Sequence, residues 1–283
     1  RRQRQMCIRD SLYLASTYIR QQMPDLVIQH FTHIPWPSPS YWQLLPEFMR
    51  QAIFRGLCAN DIVGLQTTRD VISFLRGCES FIDEAEVDYR QRAIKLGDRI
   101  VQVKAYPVSV DVGALKRIVA SNRFREYQER LRPLCGQQTI VRVDRLEPSK
   151  NIIRGLRAFD VLLGRYPQFL GKVRLIAFLV PTRTNLRPYQ RYMQDVVQSI
   201  EAINDKYGTE DWKPISFFYE NNYIQAIAGM RLYDVLLVNA VIDGMNLVAK
   251  EGPTVNERDG VLVISDTVGA CEQLGQHALR VSP

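Results

Sequence analysis

Residues 234–251 read DVLLVNAVIDGMNLVAKE. The first part, DVLLVNAVI, is a nearly continuous apolar run, and such a run predicts a strand buried on both faces of a parallel sheet. The second part, DGMNLVAKE (residues 243–251), crowds an acid, a glycine, an amide, a lysine and a second acid behind that strand, with a helix expected to begin near Asn246. Strand, polar turn and helix form half of a βαβ unit. In open α/β sheets the carboxyl end of such a strand is where ligands bind.

Working outward, the same pattern recurs through the second half. Strands are expected at Thr139–Val143, Val173–Val180, Ile215–Tyr219, Val235–Val238 and Val261–Ile264. Helices are expected at Ser149–Leu163, Arg187–Tyr207, Ile224–Arg231, from Asn246, and at Val268–Leu274. In the first half, Leu26–Phe31 and Asp61–Leu65 read as strands, and Tyr41–Leu57 and Thr67–Phe81 as helices. Ala93–Ala105 reads as two strands around a Gly97-Asp98 turn, and Asp111–Leu134 as mostly helical. Strands separated by helices imply right-handed crossovers and parallel sheets. The expected boundary is RPLCG, Arg132–Gly136, which divides the chain into 12–135 and 136–283.

Composition sets the class. A chain of 283 residues can fold as two ordinary domains. No stretch of about 18 apolar residues occurs, so no membrane helix is expected. The formal charge of +7 comes from residues spread along the chain rather than from a dense block. That distribution fits a solvated basic surface and argues against a nucleic-acid partner. The five cysteines (Cys7, Cys58, Cys78, Cys135, Cys271) form no CxxC, and His30, His33 and His277 supply no zinc spacing. Reduced thiols in a cytoplasmic protein are the reading. RRQRQMCIRDS at the start has no apolar core and does not read as a signal peptide.

The strand ends carry the chemistry. After the strand at 139–143 come Arg145, Ser149 as an N-cap, and Lys150 in the first helical turn, where a lysine opposes the helix dipole. Two readings stay open: a solvent-pointing lysine, or an arginine–lysine clamp on a diphosphate at a helix N-terminus. Asp243-Gly244 is either a plain turn or the start of a cradle in which the N–H groups of residues 245–248 face phosphates. Glu251, one helical turn after Leu247, is either a surface acid or a grip on a ribose diol. His33, in the proline-stiffened HIPWPSP, is either a packed histidine or a ligand contact. No Walker loop, GxSxG elbow, HExxH or paired metal acids occur, so positioning and charge stabilisation would carry any reaction.

Taken together, HIPWPSP, VDRLEPSKN, DGMNLVAKE and VLVISDTVGACEQLG resemble the trehalose-6-phosphate synthase family of retaining glycosyltransferases, over about residues 12–283. The resemblance implies a GT-B-like α/β fold: two Rossmann-like parallel-sheet domains with a cleft between them, the N-terminal one incomplete. It implies transfer of glucose from UDP-glucose to glucose 6-phosphate, with no cofactor and no metal. By motif, Arg145 and Lys150 match the diphosphate clamp, and His33 the histidine near the donor glucose. Asp243, Gly244, Met245, Asn246, Leu247 and Val248 match the segment holding sugar hydroxyls and phosphates, and Glu251 the ribose-binding acid. The catalytic set would be His33, Arg145, Lys150 and Asp243. The implied partners are small molecules, a nucleotide sugar and a sugar phosphate, with a homo-oligomer left open.

Several residues depart from the family pattern. The N-terminal strand, glycine-rich loop and acceptor-phosphate residues of the family are not found, and residues 1–11 read as a foreign or junction sequence, with Asp10 one place from the family's aspartate. The closing helices are also not found. The isolated chain is therefore expected to be inactive in transfer, a nucleotide-sugar-binding fragment. Met193 stands where an arginine for the acceptor phosphate is expected, Ile242 where a basic residue often precedes Asp243-Gly244, and GPTVNERDG is closer to a branch using cyclitol substrates, although Lys250 is retained. A related transferase with another phosphorylated acceptor is the alternative.

Overall fold

The computed structural model describes residues 12–283, so the expected junction sequence at 1–11, with Cys7 and Asp10, lies outside the described residues. The described chain divides into two compact units, one up to Val108 and one over Ser109–Pro283.

In the first unit the order is α1 (Ala15–Gln22), β1 (Gln29–Phe31), α2 (Pro39–Trp42), α3 (Glu47–Leu57), β2 (Ile62–Leu65), α4 (Thr68–Phe81), β3 (Ala85–Asp88), β4 (Ala93–Leu96) and β5 (Arg99–Ala105). The sheet runs β1-β2-β5-β4-β3, parallel across β1, β2 and β5 and antiparallel across β5, β4 and β3. Gly97, at φ +61°, makes the tight turn between β4 and β5 that Gly97-Asp98 predicts. The helical pattern at Tyr41–Leu57 splits in two, because Pro46 precedes α3 and cannot continue a helix from α2. Thr67 caps α4 by accepting from the Asp70 N–H at 3.1 Å. Asp70 in turn accepts the Trp36 N–H at 3.0 Å. Trp36, 4% exposed, packs on Trp42, Phe54 and Phe74. The HIPWP loop after β1 is thus pinned by its tryptophan.

The second unit holds α5 (Val112–Val119), α6 (Asn122–Leu131), β6 (Gln138–Arg145), α7 (Ile152–Arg165), β7 (Val173–Val180), α8 (Arg187–Tyr207), β8 (Ile215–Tyr219), α9 (Tyr223–Met230), β9 (Val235–Val238), α10 (Val248–Val255), β10 (Val261–Ser265), α11 (Cys271–Leu274) and β11 (Leu279–Val281). Its sheet is parallel throughout, in the order β11-β10-β9-β6-β7-β8. The alternation of β7 shows how it is covered. Ile176 and Phe178 join a core with α9 and α10, while Leu175, Ala177 and Leu179 join a second core with α7 and α8. The two faces of one strand feed two cores, as expected for apolar runs without polar alternation.

The division between units falls before α5, not at RPLCG. Leu115, Phe124 and Leu131, from α5 and α6, are buried in the same core as Ile227, Met230 and Leu232. These helices therefore belong with the second sheet. Two short edge strands, β3 and β11, add to those the sequence suggests. Helix α7 starts at Ile152 rather than Ser149, because Pro148–Lys150 forms a 3-10 turn first. Cys58, Cys78, Cys135 and Cys271 form no disulfide. Among the described residues no helix is long and apolar enough to cross a membrane.

Candidate functional site

The carboxyl ends of β6 and β9, adjacent strands, bring together most of the residues singled out above. Arg145, the last residue of β6, is open to solvent, its side chain 60% exposed and paired with Glu147 at 2.9 Å. The 3-10 turn Pro148–Lys150 follows, and Asn151 takes a left-handed conformation, φ +56°. Asparagine tolerates that region better than most residues. Ser149 does not cap the helix; its hydroxyl donates to Glu147 at 3.1 Å. Lys150 is neither solvent-pointing nor in the helix. It is buried, and its ammonium pairs with the Asp243 carboxylate, 93 positions along the chain.

The second wall follows β9. The Val241 N–H donates to the Ser149 carbonyl at 2.8 Å, which ties the two walls together through the main chain. Asp243 bridges to Val268, and the Gly269 N–H donates to the Asp243 carbonyl at 3.0 Å. Met245 is buried in the core, so its side chain anchors the segment. Gly244 is buried as well. Asn246 is left-handed, φ +65°. Its Nδ2 donates to Asp243 Oδ2 at 3.0 Å, and its Oδ1 accepts the Ala249 N–H at 3.3 Å. Helix α10 accordingly starts at Val248, two residues later than the sequence suggests. Val248 is half-buried against the core and Leu247 is 38% exposed. Among the described residues, no acceptor meets the backbone N–H groups of Met245, Leu247 and Val248.

Glu251 lies one turn into α10, where Tyr223 donates to its Oε1 at 2.7 Å. Burial pushes the Glu251 carboxyl up, and the tyrosine hydrogen bond only partly offsets this. Burial and the neighbouring carboxylate push the Tyr223 hydroxyl well above its usual value, so it remains a donor. The Lys250 ammonium is lowered by burial.

Beneath the walls is a network that the sequence reading missed. Arg142, inside β6, is fully buried. Its Nη2 donates to Asp144 Oδ2 at 2.8 Å, to the Lys150 carbonyl at 3.2 Å and to Asn239 Oδ1 at 3.3 Å, and its Nη1 donates to the Ile152 carbonyl at 3.4 Å. Asn151 and Asn239 donate to each other's main-chain carbonyls at 3.1 and 3.2 Å. Burial raises the Asp144 carboxyl, opposed by Arg142 and Lys150. The signal was VRVDR: opposite charges two apart in a strand share a face, and here that face is covered by α7 at Gly155.

His33 belongs to the first unit, just past β1. It is half-buried, with its ring edge-on to Phe31 at 4.6 Å, while its carbonyl accepts from Gln66 at 3.4 Å. Met193, on α8, packs against the α7–α8 core, which accounts for an apolar residue there.

Two cations, a carboxylate, a second acid and unbonded N–H groups at neighbouring strand ends suit an anionic ligand that also carries hydroxyls. Among the described residues no group of three or more His, Cys, Asp or Glu could hold a metal.

The family model described as Glycosyltransferase family 20 matches residues 5–283. The alpha,alpha-trehalose-phosphate synthase [UDP-forming] of Pichia angusta is 32% identical over 96% of this chain and 58% of its own length. A solved UDP-forming alpha,alpha-trehalose-phosphate synthase from Burkholderia xenovorans, in complex with glucose-6-phosphate, superposes with TM-score 0.87 at 28% identity, covering 96% of this chain and 60% of that one. Validamine 7-phosphate valienyltransferase of Streptomyces hygroscopicus subsp. jinggangensis is 28% identical over 97% of this chain and 55% of its own length. The chain thus spans little more than half the length of these relatives.

Proposed function

The chain belongs to glycosyltransferase family 20, and we propose that it serves a retaining transfer of glucose from UDP-glucose to glucose 6-phosphate, in the cytoplasm and without a metal. The observation that carries this reading is the Lys150–Asp243 pair at the ends of β6 and β9. It supports the reading because an ammonium suited to a phosphate stands beside a carboxylate suited to a sugar hydroxyl.

In this reading Arg145 and Lys150 hold the diphosphate and offset the charge that develops as the bond between the anomeric carbon and the phosphate oxygen breaks. Each charged hydrogen bond contributes about 1.5–3 kcal/mol. The N–H groups of Met245, Leu247 and Val248 add neutral donors at no cost in reorganisation. Asp243 accepts from glucose hydroxyls, and Glu251, with Tyr223 holding one of its oxygens, accepts from the ribose. The acceptor hydroxyl bonds to the anomeric carbon on the face the diphosphate leaves. Its proton passes to the departing phosphate oxygen, so no separate protein base is required. The family resemblance gives His33 to the donor glucose, and in a full-length relative the equivalent of His33→Ala should lower transfer with little change in UDP binding.

The test is calorimetric titration of the chain with UDP and UDP-glucose beside Arg145→Ala and Lys150→Ala. Binding by the parent and a loss of about 1.5–3 kcal/mol in each variant supports the reading; a folded chain that binds neither ligand refutes it. Donor binding without transfer is the expected behaviour of this chain alone. A second reading, in which another phosphorylated acceptor such as a cyclitol replaces glucose 6-phosphate, draws on the similarity to the valienyltransferase, on Met193, and on the exposed Ile242 beside Asp243. Turnover with glucose 6-phosphate only, in a full-length relative carrying these residues, would remove it.

A further inference from the structure

We propose that Arg142, Asn151 and Asn239 form a positioning clasp, which fixes the Lys150 turn against the Asp243 segment so that a phosphate and a hydroxyl are met at one spacing. The proposal rests on the donor-site reading above and adds residues that touch no ligand.

The two walls come from strand ends far apart in sequence, and few bonds join them at this level. One is main-chain, Val241 N–H to Ser149 O at 2.8 Å, and one is the Lys150–Asp243 ion pair itself. The others belong to the clasp. Asn151 and Asn239 exchange hydrogen bonds with each other's carbonyls, and Arg142 reaches the Lys150 carbonyl and Asn239 Oδ1 with a single nitrogen. Arg142 is fully buried and held in place by Asp144. Its planar fork gives it few alternative poses once bound. Gly155 makes room for it: a Cβ there would stand 2.6 Å from Arg142 Nη1 and 3.2 Å from Asn239 Nδ2. Asn151 completes the clasp at φ +56°, and the turn in that residue is what places Lys150 on one side of it and α7 on the other. A buried network that is fully bonded is rigid, and rigidity in the support is what preorganises a site.

Removing Arg142 would strand the buried Asp144 charge and unfold the chain, so the test uses its partners. Asn151→Gly keeps the left-handed backbone without strain and deletes only the bond from Asn151 Nδ2. Asn239→Ala deletes the return bond and one acceptor of Arg142. Both variants, the parent, Lys150→Ala and the Asn151→Gly/Lys150→Ala double variant are compared in three measurements: UDP affinity by calorimetry, exchange of the Val241 amide, and Tm. The expected result is faster Val241 exchange in both clasp variants, an unchanged Tm for Asn151→Gly, and UDP binding weakened about 3- to 10-fold, the scale of one neutral hydrogen bond. In the Lys150→Ala background, Asn151→Gly should cost no further affinity, because a residue that acts through Lys150 has nothing left to position. A residue with only a structural role would lower Tm and act equally in both backgrounds. If the parent binds UDP while Asn151→Gly and Asn239→Ala match it, or if Asn151→Gly weakens binding equally with and without Lys150, the clasp is overturned and the donor site stands. If the parent does not bind UDP, the donor-site reading falls and the clasp's role in binding falls with it.

Discussion

Replacing Asp243 by Asn should move UDP and UDP-glucose affinity in opposite directions. The Lys150 and Asp243 side chains are 9% and 17% exposed, so their charges interact where salt screens little. Before ligand binds, the carboxylate holds the ammonium. A diphosphate must share that ammonium and also approach the carboxylate. Two like unit charges about 6 Å apart at an effective dielectric of about 20 repel by about 2.8 kcal/mol. Water at the open mouth of the site reduces this to about 1 kcal/mol. Asparagine keeps the size of the side chain and one oxygen for Lys150 Nζ and Asn246 Nδ2, so the change is mainly one of charge.

UDP should therefore bind about 3- to 10-fold more tightly to Asp243→Asn, from about 1 kcal/mol of relieved repulsion. UDP-glucose gains the same relief but loses charge-assisted bonds between the carboxylate and sugar hydroxyls, about 1.5–3 kcal/mol, and should bind more weakly overall. Stability should fall by about 1–2 kcal/mol, less than the 3–5 kcal/mol typical of an abandoned buried charge, because Lys150 keeps an acceptor. Calorimetric titrations with both ligands at low salt, with urea unfolding alongside, measure all three quantities. Equal weakening of UDP and UDP-glucose would refute the reasoning: Asp243 would then orient Lys150 without facing the sugar.

Arg145→Ala should cost UDP affinity with almost no loss of stability, because its side chain is 60% exposed. Lys150→Ala should cost both, and the pair is separated by combining calorimetry with urea unfolding. The raised Glu251 carboxyl gives a pH signature. Its contribution to stability is fully present below the ordinary glutamate value of 4.5 and is lost as pH rises through the higher folded-state value. Glu251→Gln should therefore gain stability relative to the parent as pH rises across that window, while UDP binding weakens; a parallel pair of stability curves would contradict this. Gly155→Ala should destabilise by about 1–3 kcal/mol, because the added methyl would press on Arg142 and Asn239. An unchanged urea midpoint would show that the network beneath the site yields easily.

The parts of the fold that could be read from sequence are those where one local rule acts alone. VRLIAFLV is apolar on both faces and can only be an interior strand, and the 21 residues of α8 carry an uninterrupted helical period. Beta strands β3 and β11 escaped because AEVD and LRV are short, partly polar edges whose pairing is decided by a neighbour. The assignment of α5 and α6 to a unit escaped for a related reason. The apolar stripe through Leu115, Phe124 and Leu131 shows that these helices must be covered, but not by which sheet. Motif spacing located Arg145, Lys150 and Asp243 at or just past strand ends and Glu251 in the helix that follows, but it could not show that Lys150 is already neutralised by an acid 93 positions away.

Around the site the local rules fail together, and the failures share a cause. Arg142 is a charge in a strand interior, and Asn151 and Asn246 are non-glycine residues with positive φ. Each is unfavourable alone; left-handed backbone costs about 1–2 kcal/mol in an ordinary residue, less in asparagine. The two asparagines occupy equivalent places: Asn151 follows the lysine of one wall by one residue, and Asn246 follows the acid of the other by three. Each reverses the chain just after the charged group, so that the charge stays at the strand end while the helix departs. Each also turns its side chain inward, Asn151 to the Asn239 carbonyl and Asn246 to the Asp243 carboxylate. An unfavourable backbone angle persists where the surroundings over-determine it. Here the surroundings are the bonds that hold Lys150 and Asp243 in register, so the strained positions lie beside the two groups whose spacing a ligand would measure.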